Sequence, residues 1–118
     1  MGSVQRIVFV GCLSALLPGC DVYANAKTKR EAASVRALAS PGSSADSIRS
    51  ELIRRGYACS DETGSFLSEA GLTASAPHFV YCSKEIAGSM VCNYRIQVIV
   101  VPREPVVDLH VHPGSSCL

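Results

Sequence analysis

The sequence predicts an α+β fold in which one or two N-terminal helices pack on a three- to four-stranded antiparallel β-meander braced by two disulfides. Three observations carry that expectation. SSADSIRSELIRRG, residues 43–56, has the period and the end signals of an amphipathic helix. MVCNYRIQVIVV, residues 90–101, alternates apolar and polar residues at period two, as a half-buried strand does. Finally, the cysteines beyond the N-terminal segment form an even set, Cys59, Cys82, Cys92 and Cys117.

The 118 residues suffice for one domain, and 47% apolar with 18% charged residues is a globular composition. A net charge of +1, no Trp, and aromatic residues not interleaved with basic clusters exclude nucleic acid as a partner. The first element is a targeting signal. Arg6 precedes the uncharged apolar run Ile7–Leu17, which matches the h-region of a secretory signal peptide. Extended to Cys20, the run is still shorter than the roughly 20 residues a membrane-spanning helix needs.

Two cleavage sites compete. Leu17-Pro18-Gly19-Cys20 resembles the lipobox of bacterial lipoproteins, with Pro18 where a small or aliphatic residue is usual. The resemblance implies a signal peptide over 1–19 and lipidation at Cys20. By the enterobacterial pattern, Asp21 then implies retention at the inner membrane. Ala24-Asn25-Ala26 fits an ordinary signal peptidase, giving a signal peptide over 1–26 and a soluble periplasmic or secreted product. Either site takes the chain out of the cytoplasm, to the cell envelope as a membrane-anchored lipoprotein facing the periplasm or to a soluble periplasmic or secreted state. Residues 20–42 are expected as a tether or weak helix, because TKREAASVRALA carries only Ala32, Val35, Leu38 and Ala39 as its apolar stripe before Pro41-Gly42. The small α+β domain then spans 43–118.

Within that domain Ser43 or Ser44 caps the helix, Asp46 occupies its first turn, Arg54 and Arg55 its last, and Gly56 closes it. YAC, 57–59, is expected as a short strand. Residues 60–77 lack periodicity and are expected as a loop with one helical turn at 65–70. HFVYCSKE then forms a hairpin with residues 90–101, whose Met90, Cys92, Tyr94, Ile96, Val98 and Val100 share one face. The expected register sets Cys82 opposite Cys92 and Val80 opposite Tyr94. After the PREP turn, Val106–His112 returns as the last strand, with Val101 opposite Val106 and Val98 opposite Leu109. That register places Gln97 beside His110 and Arg95 beside His112 on the polar face. Continued, it sets Cys117 alongside Met90 and Cys92 and favours Cys92–Cys117 with Cys59–Cys82. The rival pairing is Cys82–Cys92 with Cys59–Cys117.

VVDLHVHPG, 106–114, resembles the first barrel strand of the amidohydrolase superfamily, where a His-x-His pair binds the catalytic metal. That barrel takes about 250 residues, more than the chain contains. Asp108, His110 and His112, with His78 as an alternative ligand, remain candidates for a simpler metal site. No GxSxG elbow, CxxC pair or glycine-rich phosphate loop occurs, so no catalytic residue and no cofactor are assigned. The helix-then-sheet outline is similar to that of outer-membrane assembly lipoproteins. YAC with its following loop is similar to periplasmic lysozyme inhibitors. The leading expectation is an exported, lipid-anchored, non-enzymatic envelope protein that binds another envelope protein. The alternatives are a periplasmic inhibitor of a hydrolase such as lysozyme, or a minor periplasmic metal-binding protein.

Overall fold

The computed structural model describes residues 18–88 and 91–118. The expected h-region with Cys12, and Met90 on the expected strand face, lie outside the described residues. Two helices, α1 (Pro18–Arg36) and α2 (Ala45–Arg54), are followed by the strands β1 (Ala58–Leu67), β2 (Thr73–Gly88), β3 (Cys92–Val101) and β4 (Asp108–Cys117). The four strands form one antiparallel meander in the order β1-β2-β3-β4. The α+β architecture expected from the sequence is the one observed.

The segment expected as a tether or weak helix is instead a docked helix over much of its length. Ala24, Thr28, Ala32 and Val35 recur at helical spacing along α1 and are buried. Small side chains let the helix lie close to the sheet, and the Thr28 hydroxyl is satisfied by donating to the Ala24 carbonyl at 2.7 Å. Among the described residues no helix is long and apolar enough to cross a membrane.

At the start of α2, Ser44 is the cap. Its hydroxyl accepts from the Ser47 amide, and the Ser47 hydroxyl accepts from the Ser44 amide. Gly56 ends the helix at φ +97°, a conformation that favours glycine. Lys84 Nζ, reaching across from β2, donates to the Arg55 carbonyl at 2.6 Å, so a cation sits at the helix C-terminus. Ile48 and Leu52 face the sheet.

Both helices cover one face. The core there joins Val35, Leu52 and Tyr57 to Val80 and Cys82 of β2, Ile96, Val98 and Val100 of β3, and Val111 of β4. The expected alternation along β3 holds: Cys92, Tyr94, Ile96, Val98 and Val100 are buried, whereas Asn93, Arg95 and Gln97 are exposed.

The pairing differs from expectation in three places. β1 does not stop at Cys59; residues 60–67, expected within a loop, continue the strand. Residues 60–65 are exposed throughout, so solvent on both faces removed the alternation that marks a strand. In the β2–β3 pair, Cys82 lies opposite Val98 and Val80 opposite Val100, six residues along from the expected register. β2 runs on through Lys84–Gly88, which closes the hairpin nearer its end and gives the β-branched run of β3 apolar partners. In the β3–β4 pair, Val98 faces Val111 and Val101 faces Asp108, a slip of two. Pro102 and Pro105 have no amide to give a ladder, and Val107 turns into the core, so the connection is longer than PREP.

The disulfides are Cys59–Cys82 and Cys92–Cys117, the favoured pairing. Each joins directly opposed residues of neighbouring strands. One staples the β1 edge to β2 and the other staples the β4 edge to β3. Each closes a loop worth about 3–4 kcal/mol in the chain-entropy account.

Glu51 gathers Arg54 and Arg55 at the end of α2. Arg54 Nε donates to Oε1 at 2.9 Å and Arg55 Nε to Oε2 at 2.8 Å. Hydrogen bonds from Arg54, then Arg55, hold the Glu51 carboxyl down at about 2, below its ordinary 4.5. A carboxylate held down in this way stabilises the fold above its unfolded-state pKa and ceases to as the pH falls through the folded value. Glu51→Gln should therefore lower the urea midpoint at about pH 6, and the difference from the parent should vanish as the pH falls from 4.5 to about 2. A pH-independent difference in the unfolding curves would contradict this.

Candidate functional site

The sheet face away from the helices is shaped by a bulge. Glu62 pairs with Phe79 but Gly64 pairs with Ala76, so Thr63 opposes both Pro77 and His78. Proline supplies no ladder amide and is tolerated at such a position, and a bulge bends its strand. Beyond the bend, Phe66, Ala74 and Ala76 join Phe79, Tyr81, Ile99 and Val101 in a second apolar cluster on the open face. The Phe66 and Phe79 rings meet at 5.1 Å between centroids, tilted by 58°.

The hairpin tip is tight. The Ser68 amide donates to the Leu72 carbonyl at 2.7 Å, and the Gly71 amide donates to the Ser68 carbonyl at 2.9 Å. Gly71 has φ +87°, the left-handed position of a three-residue hairpin loop. The tip is held against β4 by three polar contacts. The Glu69 amide donates to His110 Nδ1 at 3.0 Å, the Val111 amide donates to Glu69 Oε1 at 3.1 Å, and His112 Nε2 donates to the Leu67 carbonyl at 2.8 Å. Arg36, the last residue of α1, donates to the same Glu69 Oε1 at 2.9 Å. Burial alone would raise the Glu69 carboxyl, but hydrogen bonds from Arg36 and the Val111 amide outweigh it and hold the group below its ordinary value.

These contacts decide what the histidine strand does. His110 Nδ1 accepts from Glu69, so in the neutral ring Nε2 carries the proton and donates to Asp108 Oδ2 at 2.9 Å. Both ring nitrogens are thereby engaged, and the ring packs 5.3 Å from that of Phe66. His112 lies opposite Gln97, and Arg95 lies opposite Gly114, not His112 as expected. His78 is bound to Asp61 at 3.1 Å near β1. Asp108 and His110 are thus brought together, whereas His112 and His78 serve other partners. Among the described residues no three His, Cys, Asp or Glu side chains gather as metal ligands.

Curling of the sheet leaves a groove of about 390 Å³ on the open face, lined by Phe66, Phe79, Tyr81, Ile99, Gln97 and His112 together with residues 62–67 of β1. Its floor is aromatic and aliphatic; its rim is polar, with Glu62, Thr63 and Gln97. Leu67 and Leu72 stand exposed beside it on the hairpin, Leu72 at 69%. Phe66, Phe79 and Ile99 are themselves buried, so the surface offers van der Waals contact chiefly through Tyr81, Leu67 and Leu72, with a few orienting hydrogen bonds. Sequence reading missed this site, since Phe66 and Gly71 fell within the supposed loop. The segment Ser68-Glu69-Ala70-Gly71-Leu72, with glycine at the third loop position, was the available signal.

Comparison with protein-family models, with curated proteins and with solved structures gives no match for this chain.

Removing the Glu69 carboxylate leaves the Val111 amide and Arg36 without their shared acceptor. Glu69→Ala should speed hydrogen exchange at the Val111 amide about tenfold or more, the loss of about 1.4 kcal/mol expected of a charge-assisted bond. Exchange at the Val98 amide, in the covered layer, should hold. Unchanged protection at Val111 would show that the tip is held by other means.

Proposed function

We propose that this chain is an exported envelope protein, anchored through an acylated Cys20, that works without catalysis by holding an extended apolar segment of another envelope protein. The aromatic groove on the open sheet face carries the reading. A floor of Phe66, Phe79, Tyr81 and Ile99 beneath a polar rim suits an extended segment that inserts one apolar side chain and hydrogen-bonds along the edges. Two disulfides stiffen the sheet at both edges, which lowers the ordering cost of such binding.

Ala24 supports cleavage before Cys20 over cleavage after Ala26. It is buried against Cys92 and Tyr94, and a cut after Ala26 would remove it from that contact. Cleavage before Cys20 keeps the buried line of α1 whole.

Two measurements bear on this. Mass spectrometry of the protein from the native envelope should find an acylated Cys20 as its first residue, and Cys20→Ser should lose the modification; an unmodified Cys20 would reject the acyl anchor. A photoreactive residue replacing Tyr81 or Leu67 should crosslink to one common partner, and the same probe replacing Arg54 on the helix side should not. Equal crosslinking from all three positions would reject the groove.

A further inference from the structure

The first turns of α1 lie at the end of the sheet that carries the Cys92–Cys117 bridge. Ala24 packs there on Cys92 and Tyr94, and Asn25, Thr28 and Lys29 border a small cleft with residues 113–115 of β4. The Leu118 amide donates to the Val91 carbonyl at 2.8 Å, which brings those two residues to the same end. Val22, Tyr23, Val91 and Leu118 are therefore clustered at one pole, and all four side chains are exposed, Val22 by 66% and Tyr23 by 62%.

Charge follows the same gradient. Residues 21–30 hold Lys27, Lys29 and Arg30 against one acid, Asp21, and the next acid, Glu31, is engaged by the Tyr57 hydroxyl, in a chain whose net charge is only +1. All three cations are exposed, and among the described residues none is in an ion pair. Helical spacing sets Tyr23, Lys27 and Arg30 on one flank of α1, with Val22 and Lys29 on another. Apolar groups at the tip with cations one to two turns above them match the layering of a bilayer interface. Tyrosine sits at headgroup depth, and Lys and Arg stems lie along apolar surface with their heads at the phosphates. On the anchoring reading, the acyl chain on Cys20 enters the bilayer two residues before Val22, which fits a lipid surface and not a protein partner.

We infer that this pole binds an anionic phospholipid surface, as a membrane contact additional to the acyl anchor. It extends the anchoring reading but is measurable without acylation. With the pole on the bilayer, β3 carries the Pro102–Val107 connection to about 30 Å from it.

The full chain carrying Cys20→Ser, which has no acyl group, is titrated with vesicles of phosphatidylcholine alone and with vesicles containing about one-third phosphatidylglycerol. Insertion of Ile7–Leu17 is common to both, so the ratio of affinities reports the cationic surface. It should favour anionic vesicles on the order of 10- to 100-fold at physiological salt. Lys27→Glu/Lys29→Glu/Arg30→Glu should reduce the ratio to about threefold or less, whereas Arg54→Glu/Arg103→Glu should retain it. Tyr23→Ser should weaken binding to both vesicle types. Equal affinity for the two vesicles, a ratio unchanged by the triple reversal, loss of preference in the Arg54/Arg103 control, or self-association through this pole without vesicles would each overturn the inference. Mass spectrometry of the native N-terminus reads acylation of Cys20 alone, so the two failures are distinguishable.

Discussion

Everything in this fold depends on the burial of one face of β3. Ile96, Val98 and Val100 are fully enclosed between the flanking strands and the two helices. Each contributes on the order of 1.5–3 kcal/mol by leaving water. In a domain this small, few other side chains are available to do the same. The two inner strands, β2 and β3, therefore supply the platform, and both outer strands are held to it covalently. β1 shows why this matters: past Cys59 it has almost no buried side chain until Phe66, so packing alone holds it weakly. Cys59–Cys82 fixes its register where the hydrophobic effect does not.

The second constraint is the bulge at Pro77 and His78. A straight β1–β2 hairpin, continued from the Glu62–Phe79 pair, would leave Ala74 and Ala76 on the face opposite Phe66 and Phe79. The bend returns these side chains to one cluster and carries the tip over to β4. There, polar groups take over from apolar ones. Glu69 satisfies an amide of β4 while it anchors Arg36, and His110 accepts the Glu69 amide. The edge of β4 is thereby partly covered, which guards a strand edge against pairing with other chains. The His-x-His spacing that looked like metal chemistry in the sequence is used here to dock a hairpin.

What was legible in the sequence follows from this physics. The fold class, the α2 helix with its serine cap and Gly56 stop, and the two faces of β3 could be read, because each rests on local periodicity; the even cysteine count pointed to two disulfides but left their pairing open between two alternatives. Registers could be read only up to an even shift. A slip of two or six residues leaves every side chain on its correct face, so alternation cannot distinguish Val98–Val111 from Val98–Leu109. α1 was obscure because its buried line is Ala, Thr, Ala and Val, with little contrast to the exposed residues around it. The β1–β2 hairpin was obscure because both faces of β1 are wet, and because Glu69 and Ala70 are helix formers that only Gly71 redirects into a turn.

β3 also links the two surfaces for which functions are proposed. Its start, Cys92 and Tyr94, receives Ala24 and so fixes the pole where α1 begins; its middle, Gln97 and Ile99, lines the groove. The same strand buries alternate side chains under the helices, so neither surface can tilt relative to the other without opening the core. A rise of about 3.3 Å per residue places Gln97 roughly 16 Å along the strand from Cys92. With the pole seated on a bilayer, the groove would stand clear of the headgroups yet remain close to them. On the proposed reading, a partner segment bound there would be one that emerges from, or runs beside, the same membrane.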